Sequence, residues 1–398
     1  MLGKYLVSAC FGVLASFASA APTFKATELG SMRPLAINDY GQVLGFGESA
    51  SDGYLWQPNG RNSLTGVLHA LPSHSFGSKL TDINNRGQIC GSYFESNLPM
   101  FLLWSPNVDN SPTGSYVILS GNTTTEESSI NDSGQMAGSY DHHGQVSSLT
   151  LWNPGAPLGT ASWIATLSGE IAGRVRINNY GQIAISDAYP LPGQAFLWTP
   201  DSANGYPGTF VNLGNLGYPG SRIGGINDAG QVVGSAAVSA TSWHAFRWDP
   251  DTPNGTTGTM IDLDPDLDPS HYSTASAING AGDMVGSTFD GTNTRPFAII
   301  GGERVDLSAS IPIGAEPIVH AAALDINNHG QIVCIVSTAT ETRGLLLSPF
   351  TAPEDVVDLQ SDIMELVQLG VLLPANGQSL YAKLDAAYAK IARGDNAG

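Results

Sequence analysis

Three observations in the 398-residue sequence predict an all-β fold assembled from like units. The first is a phrase that opens as Ile37-Asn38-Asp39-Tyr40-Gly41-Gln42 and returns at Ile83, Ile130, Ile177, Ile226, Ile278 and Ile326. The isoleucines step by 46, 47, 47, 49, 52 and 48 residues, and self-similarity at such a period is the signature of a repeat architecture. The second is a short aromatic run in each early copy, from Tyr54-Leu55-Trp56 to His244-Ala245-Phe246-Arg247-Trp248, which fades to Pro296-Phe297-Ala298-Ile299 and Leu345-Leu346-Leu347. The third is composition: 47 Gly and 24 Pro with only 13% charged residues suit many tight turns joining buried strands.

Within a copy the elements follow in a constant order. The β-branched isoleucine ends a first strand. Asn then opens a turn whose backbone its side chain can cap two residues on, and Gly accepts the positive φ at the turn's end. Gln and an apolar pair start the second strand, which makes a hairpin with a type I turn and a Gly bulge. The aromatic run is the third strand, followed by a turn such as Trp198-Thr199-Pro200-Asp201. Runs such as Phe210-Val211-Asn212-Leu213 and Met260-Ile261-Asp262-Leu263 are the fourth. Both faces of these strands are largely apolar, as expected of a sheet packed between two neighbours.

Four antiparallel strands in about 48 residues are the size of a propeller blade, and seven copies predict a seven-bladed β-propeller of four-stranded antiparallel blades. A β-solenoid or a row of sandwiches would also bury such sheets. Ala26–Gly30 resembles a fourth strand placed ahead of the first copy, while the seventh copy stops at its third strand near Leu347. The N-terminal strand is therefore expected to complete the last blade and remove an exposed edge.

The ends differ from the repeats. Lys4, the apolar stretch 5–17 and Ala18-Ser19-Ala20 read as a signal peptide over residues 1–20. A lipoprotein reading through Cys10 is disfavoured because the apolar stretch continues past it. Residues 21–350 form the propeller, and no later apolar run is long enough to span a membrane. From 351 to 398 the period turns helical: Val356, Leu359, Ile363, Leu366 and Val367 form one stripe, and Leu380, Leu384, Tyr388 and Ile391 a second. This is a small C-terminal helical hairpin. The net charge of −19 opposes nucleic-acid binding, which needs basic patches. Cys90 and Cys334 fall on second strands of copies that are not neighbours, and are read as buried apolar residues rather than a disulfide.

The phrase Ala-Ile-Asn-Asp-x-Gly-Gln-Val-x-Gly followed by an Ala-Phe-Leu-Trp strand resembles the bacterial extracellular HAF-repeat family over roughly residues 26–350. The tripeptide of that name stands at His244-Ala245-Phe246. The resemblance implies a secreted protein and no assigned activity. Ser379-Leu380-Tyr381-Ala382-Lys383-Leu384 with Ala392-Arg393-Gly394-Asp395 resembles the first half of a FIMAH domain, a helical appendage of bacterial surface and secreted proteins, without its later helices.

No nucleophile elbow, zinc-protease motif or phosphate loop is present, so no catalytic residue is assigned. His142-His143 lacks the partners of a zinc set. Asp262, Asp264, Asp266 and Asp268 alternate as calcium ligands would, yet lack the Gly and distal Glu of an EF-hand loop, so no cofactor is expected and calcium is the alternative. Propeller geometry places the invariant Asn-x-x-Gly turns at one end of the ring and the variable loops at the other. Variable loops on a rigid scaffold are where binding usually sits. His143, Tyr189, Trp243, His271, Tyr272, Arg295 and Arg343 are the expected ligand-binding residues on that second end. The expected function is a secreted, monomeric, non-catalytic binding or scaffold module for a polysaccharide or surface protein. The alternative is a propeller hydrolase or lyase acting on an extracellular polysaccharide at the ring mouth, which convergent acids in the centre would favour. A hairpin of this size buries little surface alone. A chain ending near Pro349 is therefore expected to stay soluble and to melt within a few degrees of the whole, measured by thermal denaturation.

Overall fold

The computed structural model describes residues 23–349 apart from the segments 48–52, 73–78, 96–97, 120–126, 142–146, 155–160, 168–173, 187–192, 268–269 and 313–315, together with Gln378 and Lys383, both helical. The expected signal peptide and the rest of the expected helical hairpin lie outside the described residues. Among the described residues no helix is long and apolar enough to cross a membrane.

Each sequence repeat folds as one antiparallel meander. Repeat 4 is typical: Val175–Ile177, Ile183–Ser186, Ala195–Pro200 and Gly208–Asn212 pair in that order. Repeats 1, 2, 3 and 5 are separate four-stranded sheets of the same order. Repeats 6 and 7 are joined into one sheet by a single parallel bridge, Thr294 to His320. Repeat 7 supplies three strands, and the strand Phe24–Glu28 lies beside the last of them, Thr342–Pro349. The seam is tied by Leu29 N–H donating to the Gly344 carbonyl at 2.9 Å and by Arg343 pairing with Glu28 at 2.7 Å. Leu29, Met32, Ile37, Val43 and Trp56 pack there with Val333 and Leu346.

The sheets stack face to face. Between repeats 3 and 4, Leu149 and Leu151 meet Val175, Ile183, Ile185 and Trp198, all buried. Each such side chain contributes about 1.5–3 kcal/mol on leaving water. The third-strand tryptophan explains the glycine that opens the fourth strand. A Cβ at Gly208 would stand 2.4 Å from the Thr199 carbonyl oxygen and 2.6 Å from the Trp198 ring. Cys90 and Cys334 are free and buried, as the sequence predicts.

The Asn-x-x-Gly phrase does more than turn the chain. Asn178 Oδ1 accepts from the N–H groups of Tyr180 and Gln182, and Gly181 takes φ +90°. Its Nδ2 donates to the Asn227 carbonyl of the next repeat. The same bond runs from Asn38 to Asn84, Asn84 to Asn131, Asn131 to Asn178, Asn227 to Asn279 and Asn279 to Asn327. Asn327 then donates to the Asn38 carbonyl at 3.1 Å, so the series closes on itself. The next residue forms an outer circuit of alternating amide and carboxylate: Asn85 and Asn179 both donate to Asp132, Asn179 also to Asp228, and Asn328 to Asp39.

Asn131→Ala removes one carbonyl and three amide contacts from a buried site, and unpaired buried polar groups cost about 1–3 kcal/mol each. The variant is expected to lose about 3 kcal/mol in a urea titration. Gly134 has φ +79°, and a would-be Cβ there meets no clash, its nearest neighbour being Pro154 at an ordinary contact distance of 3.5 Å. Gly134→Val should therefore cost about 1–2 kcal/mol through backbone conformation alone. Ser133→Val, at the exposed neighbouring position, should stay within about 0.5 kcal/mol. Equal losses for the pair would refute the turn assignment.

Candidate functional site

The two ends of the ring differ as the sequence predicts. Third-to-fourth-strand turns sit beside the Asn-x-x-Gly turns: Asn62 N–H donates to the Tyr40 carbonyl, Asn110 to Arg86, Asn204 to Tyr180 and Asn254 to Ala229. These four asparagines have positive φ. Gln42, Gln135, Gln182 and Gln331 reach across to the carbonyls of the next repeat's Asn110, Asn204, Asn254 and Asn62. This end is consumed by its own hydrogen bonds.

At the opposite end, four of the expected binding residues come together where repeats 5 and 6 meet. Ser242 Oγ donates to the His271 carbonyl at 3.0 Å, which ties the segment before Trp243 to the one before Tyr272. The Arg222 guanidinium lies over the Trp243 ring, 5.0 Å from its centroid. Tyr272 stacks on Phe289 with centroids 4.8 Å apart and planes 23° from parallel, and is 46% exposed. Arg295 Nε donates to Asp290 at 2.9 Å. Bonds from the Asn293 and Thr292 N–H groups hold the Asp290 carboxyl below its usual range. Arg222, Phe289 and Asp290 escaped the sequence reading; only their positions at strand ends, next to the residues named, could have drawn notice.

Other expected residues stand elsewhere. Arg343 is taken up by Glu28 and the Pro312 carbonyl at the closing seam, so its role there is structural. His143 and Tyr189 lie outside the described residues. The calcium alternative loses two of its four carboxylates: Asp262 pairs with His244 Nδ1 at 2.9 Å, and Asp264 with Arg304 and Ser273. Asp268 lies outside the described residues. Among the described residues no group of three metal-ligating side chains converges.

A second polar site was missed by sequence reasoning. The first strands line a central channel of about 180 Å³. In five repeats the ladder slips just before the residue that precedes the isoleucine, as between Leu80 and Asp82 and between Ala323 and Asp325. A bulge re-aims the side chain that follows it. That position reads Ala36, Asp82, Ser129, Arg176, Gly225, Ala277 and Asp325, and all seven line the channel. The signal was present: charged residues at a place otherwise small, in aligned copies.

The channel groups are coupled. Asp325 accepts from Ile326 N–H and, across the seam, from Ile37 N–H, both at 2.9 Å. Asp82 accepts from the Ile83 and Ile130 N–H groups and from Ser129 Oγ. Arg174 donates to the Gly224 and Ser276 carbonyls. Burial pushes the Asp325 carboxyl up to about 7, with the Asp82 charge adding to it and the backbone bonds and Arg176 opposing. Burial likewise raises Asp82, with Arg176 and Ser129 opposing. Burial, helped by the like charge of Arg176, lowers Arg174 to about 10.

Because Asp325 holds its proton more tightly in the folded chain, its contribution to stability is full below about pH 4 and is lost as pH rises through about 7. Asp325→Asn keeps a carbonyl acceptor for Ile37 and carries no charge. Denaturant titrations at successive pH values should show the variant gaining on the parent between about pH 4 and 7 and holding level above that range. A difference independent of pH would remove Asp325 as the titrating group.

No protein-family model and no curated protein matches this chain. Among solved structures, it is similar to the β-propeller domain of the Trilobed protease from Pyrococcus furiosus, with 11% identity and a TM-score of 0.51 over 83% of this chain and 94% of that one. It is also similar to a structure from an analysis of two prolyl endopeptidases, with 10% identity and a TM-score of 0.50 over 82% of this chain and 47% of that one. At these identities the likeness shows the fold alone: the stacked four-stranded sheets are those of a β-propeller.

Proposed function

We propose that the chain is a closed, seven-bladed propeller of HAF-like repeats that serves as an exported binding module for an extracellular polysaccharide. The asparagine series that runs through seven repeats and returns from Asn327 to Asn38 supports the blade count and the closure. The charged, apolar and small-residue order of residues 1–20 supports export. The C-terminal segment, whose sequence resembles part of a FIMAH domain, is then an appendage for attachment.

One observation carries the binding assignment: Tyr272, 46% exposed and backed by Phe289, linked through the Ser242–His271 bond to the Trp243 and Arg222 pair, at the end of the ring opposite the Asn-x-x-Gly turns. Aromatic rings present flat apolar area to sugar rings, while Arg295, Asp290 and His271 offer hydrogen bonds to hydroxyl groups at their edges. Binding is favoured over hydrolysis because the convergent acids, Asp82 and Asp325, line the central channel and not the aromatic platform, and each holds a backbone N–H of the neighbouring repeat. A glycan array should register a polysaccharide ligand, and Tyr272→Ala should weaken it by about tenfold, or about 1.4 kcal/mol, without moving the melting temperature. Binding unchanged by both Tyr272→Ala and Trp243→Ala would place the ligand elsewhere.

A further inference from the structure

We infer that the central channel is a second and independent site, for a small zwitterion with one ammonium and one carboxylate group, of the size of a free α-amino acid. Its walls carry opposite charges. Asp325 and Asp82 stand on repeats 7 and 2, either side of Ala36. Arg176 stands on repeat 4, three steps around the ring from repeat 7.

Both kinds of group have capacity to spare. A guanidinium has five N–H donors, and Arg176 uses one, to the Val175 carbonyl at 2.8 Å. Among the described residues no carboxylate is within ion-pair distance of it. Its free fork suits a carboxylate held through two parallel bonds. Asp325 accepts one bond at each oxygen, which leaves about two further lone-pair sites for an ammonium group.

The remaining walls set size and sign. Ala36, Gly225 and Ala277 leave the lumen open, and 180 Å³ is room for about six waters at about 30 Å³ each. A ligand of about that many heavy atoms fits. Arg174 reaches across to the carbonyls of Gly224 and Ser276, two residues of the channel wall, and adds positive charge beside repeats 5 and 6. Asp132 and Asp228 line the channel at the Asn-turn end, where they oppose the entry of free anions. A lone anion would meet the aspartates with nothing to offer them, and a lone amine would meet the arginines. A zwitterion satisfies both walls at once.

The test is isothermal titration calorimetry on the full chain with glycine, L-alanine, acetate, methylamine and glucose. Glycine or alanine should bind, with acetate, methylamine and glucose at least tenfold weaker. Arg176→Gln and Asp325→Asn should each weaken zwitterion binding at least tenfold, while Tyr272→Ala leaves it unchanged, which separates this site from the sugar platform. Ala277→Leu, at a channel-lining position outside the apolar clusters between sheets, narrows the channel and removes no charge; it should abolish binding and covers the case in which a charge variant does not fold. The proposal is overturned if neither amino acid binds at millimolar concentration, if acetate binds as tightly as alanine, or if the folded variants bind like the parent.

Discussion

The bond from each asparagine side chain to the next repeat's asparagine carbonyl is the constraint on which the rest depends. A propeller sheet can shed its exposed edges only if the ring closes, and closure requires each unit to hold a fixed angle to the next. Apolar packing between sheets is strong but non-directional. The asparagine supplies direction: one side chain caps its own turn with Oδ1 and fastens the following repeat with Nδ2, as Asn178 does toward Tyr180, Gln182 and Asn227. With the amide nearly excluded from water, neither bond can be exchanged cheaply for solvent.

The outer circuit shows what a ring of this kind imposes on sequence. Reading Asp39, Asn85, Asp132, Asn179, Asp228, Gly280 and Asn328 in order, carboxylate and amide alternate until Gly280. An odd number of positions cannot alternate all the way round: two carboxylates or two amides must meet. Glycine, with no side chain to clash or repel, takes the place of the misfit. Its N–H still donates to Asn328 Oδ1, so the backbone contact survives where the side-chain pair is dropped.

The same economy frees the other parts of the molecule. With turns, glutamines and positive-φ asparagines locking one end, the opposite end can vary, and there Trp243, Tyr272 and Phe289 stand without a structural duty of comparable weight. In the centre, the residue before the isoleucine of each phrase lines the channel, and in five repeats a bulge precedes it. Repeats 2 and 7 use that position to bridge their neighbours' backbones through Asp82 and Asp325, and repeat 4 places Arg176 there with most of its donors unused.

Much of this was legible in the sequence because it is local and repeated. The Asn-x-x-Gly turns, the four strands per period and the order of apolar runs depend on contacts within one repeat, and repetition multiplies a weak signal. Chain geometry also told which loops share an end, and so which of Trp243, His271, Tyr272 and Arg295 could meet. What the tertiary structure alone decided depends on contacts between repeats 46 or more residues apart. Arg343 was expected to bind ligand and proved to be the clasp for Glu28, because its partner lies 315 residues away. Asp82 and Asp325 drew no reading from the sequence. Only the bulge and the closing of the ring bring them into one channel with Arg176, where burial and each other's charge make them a site.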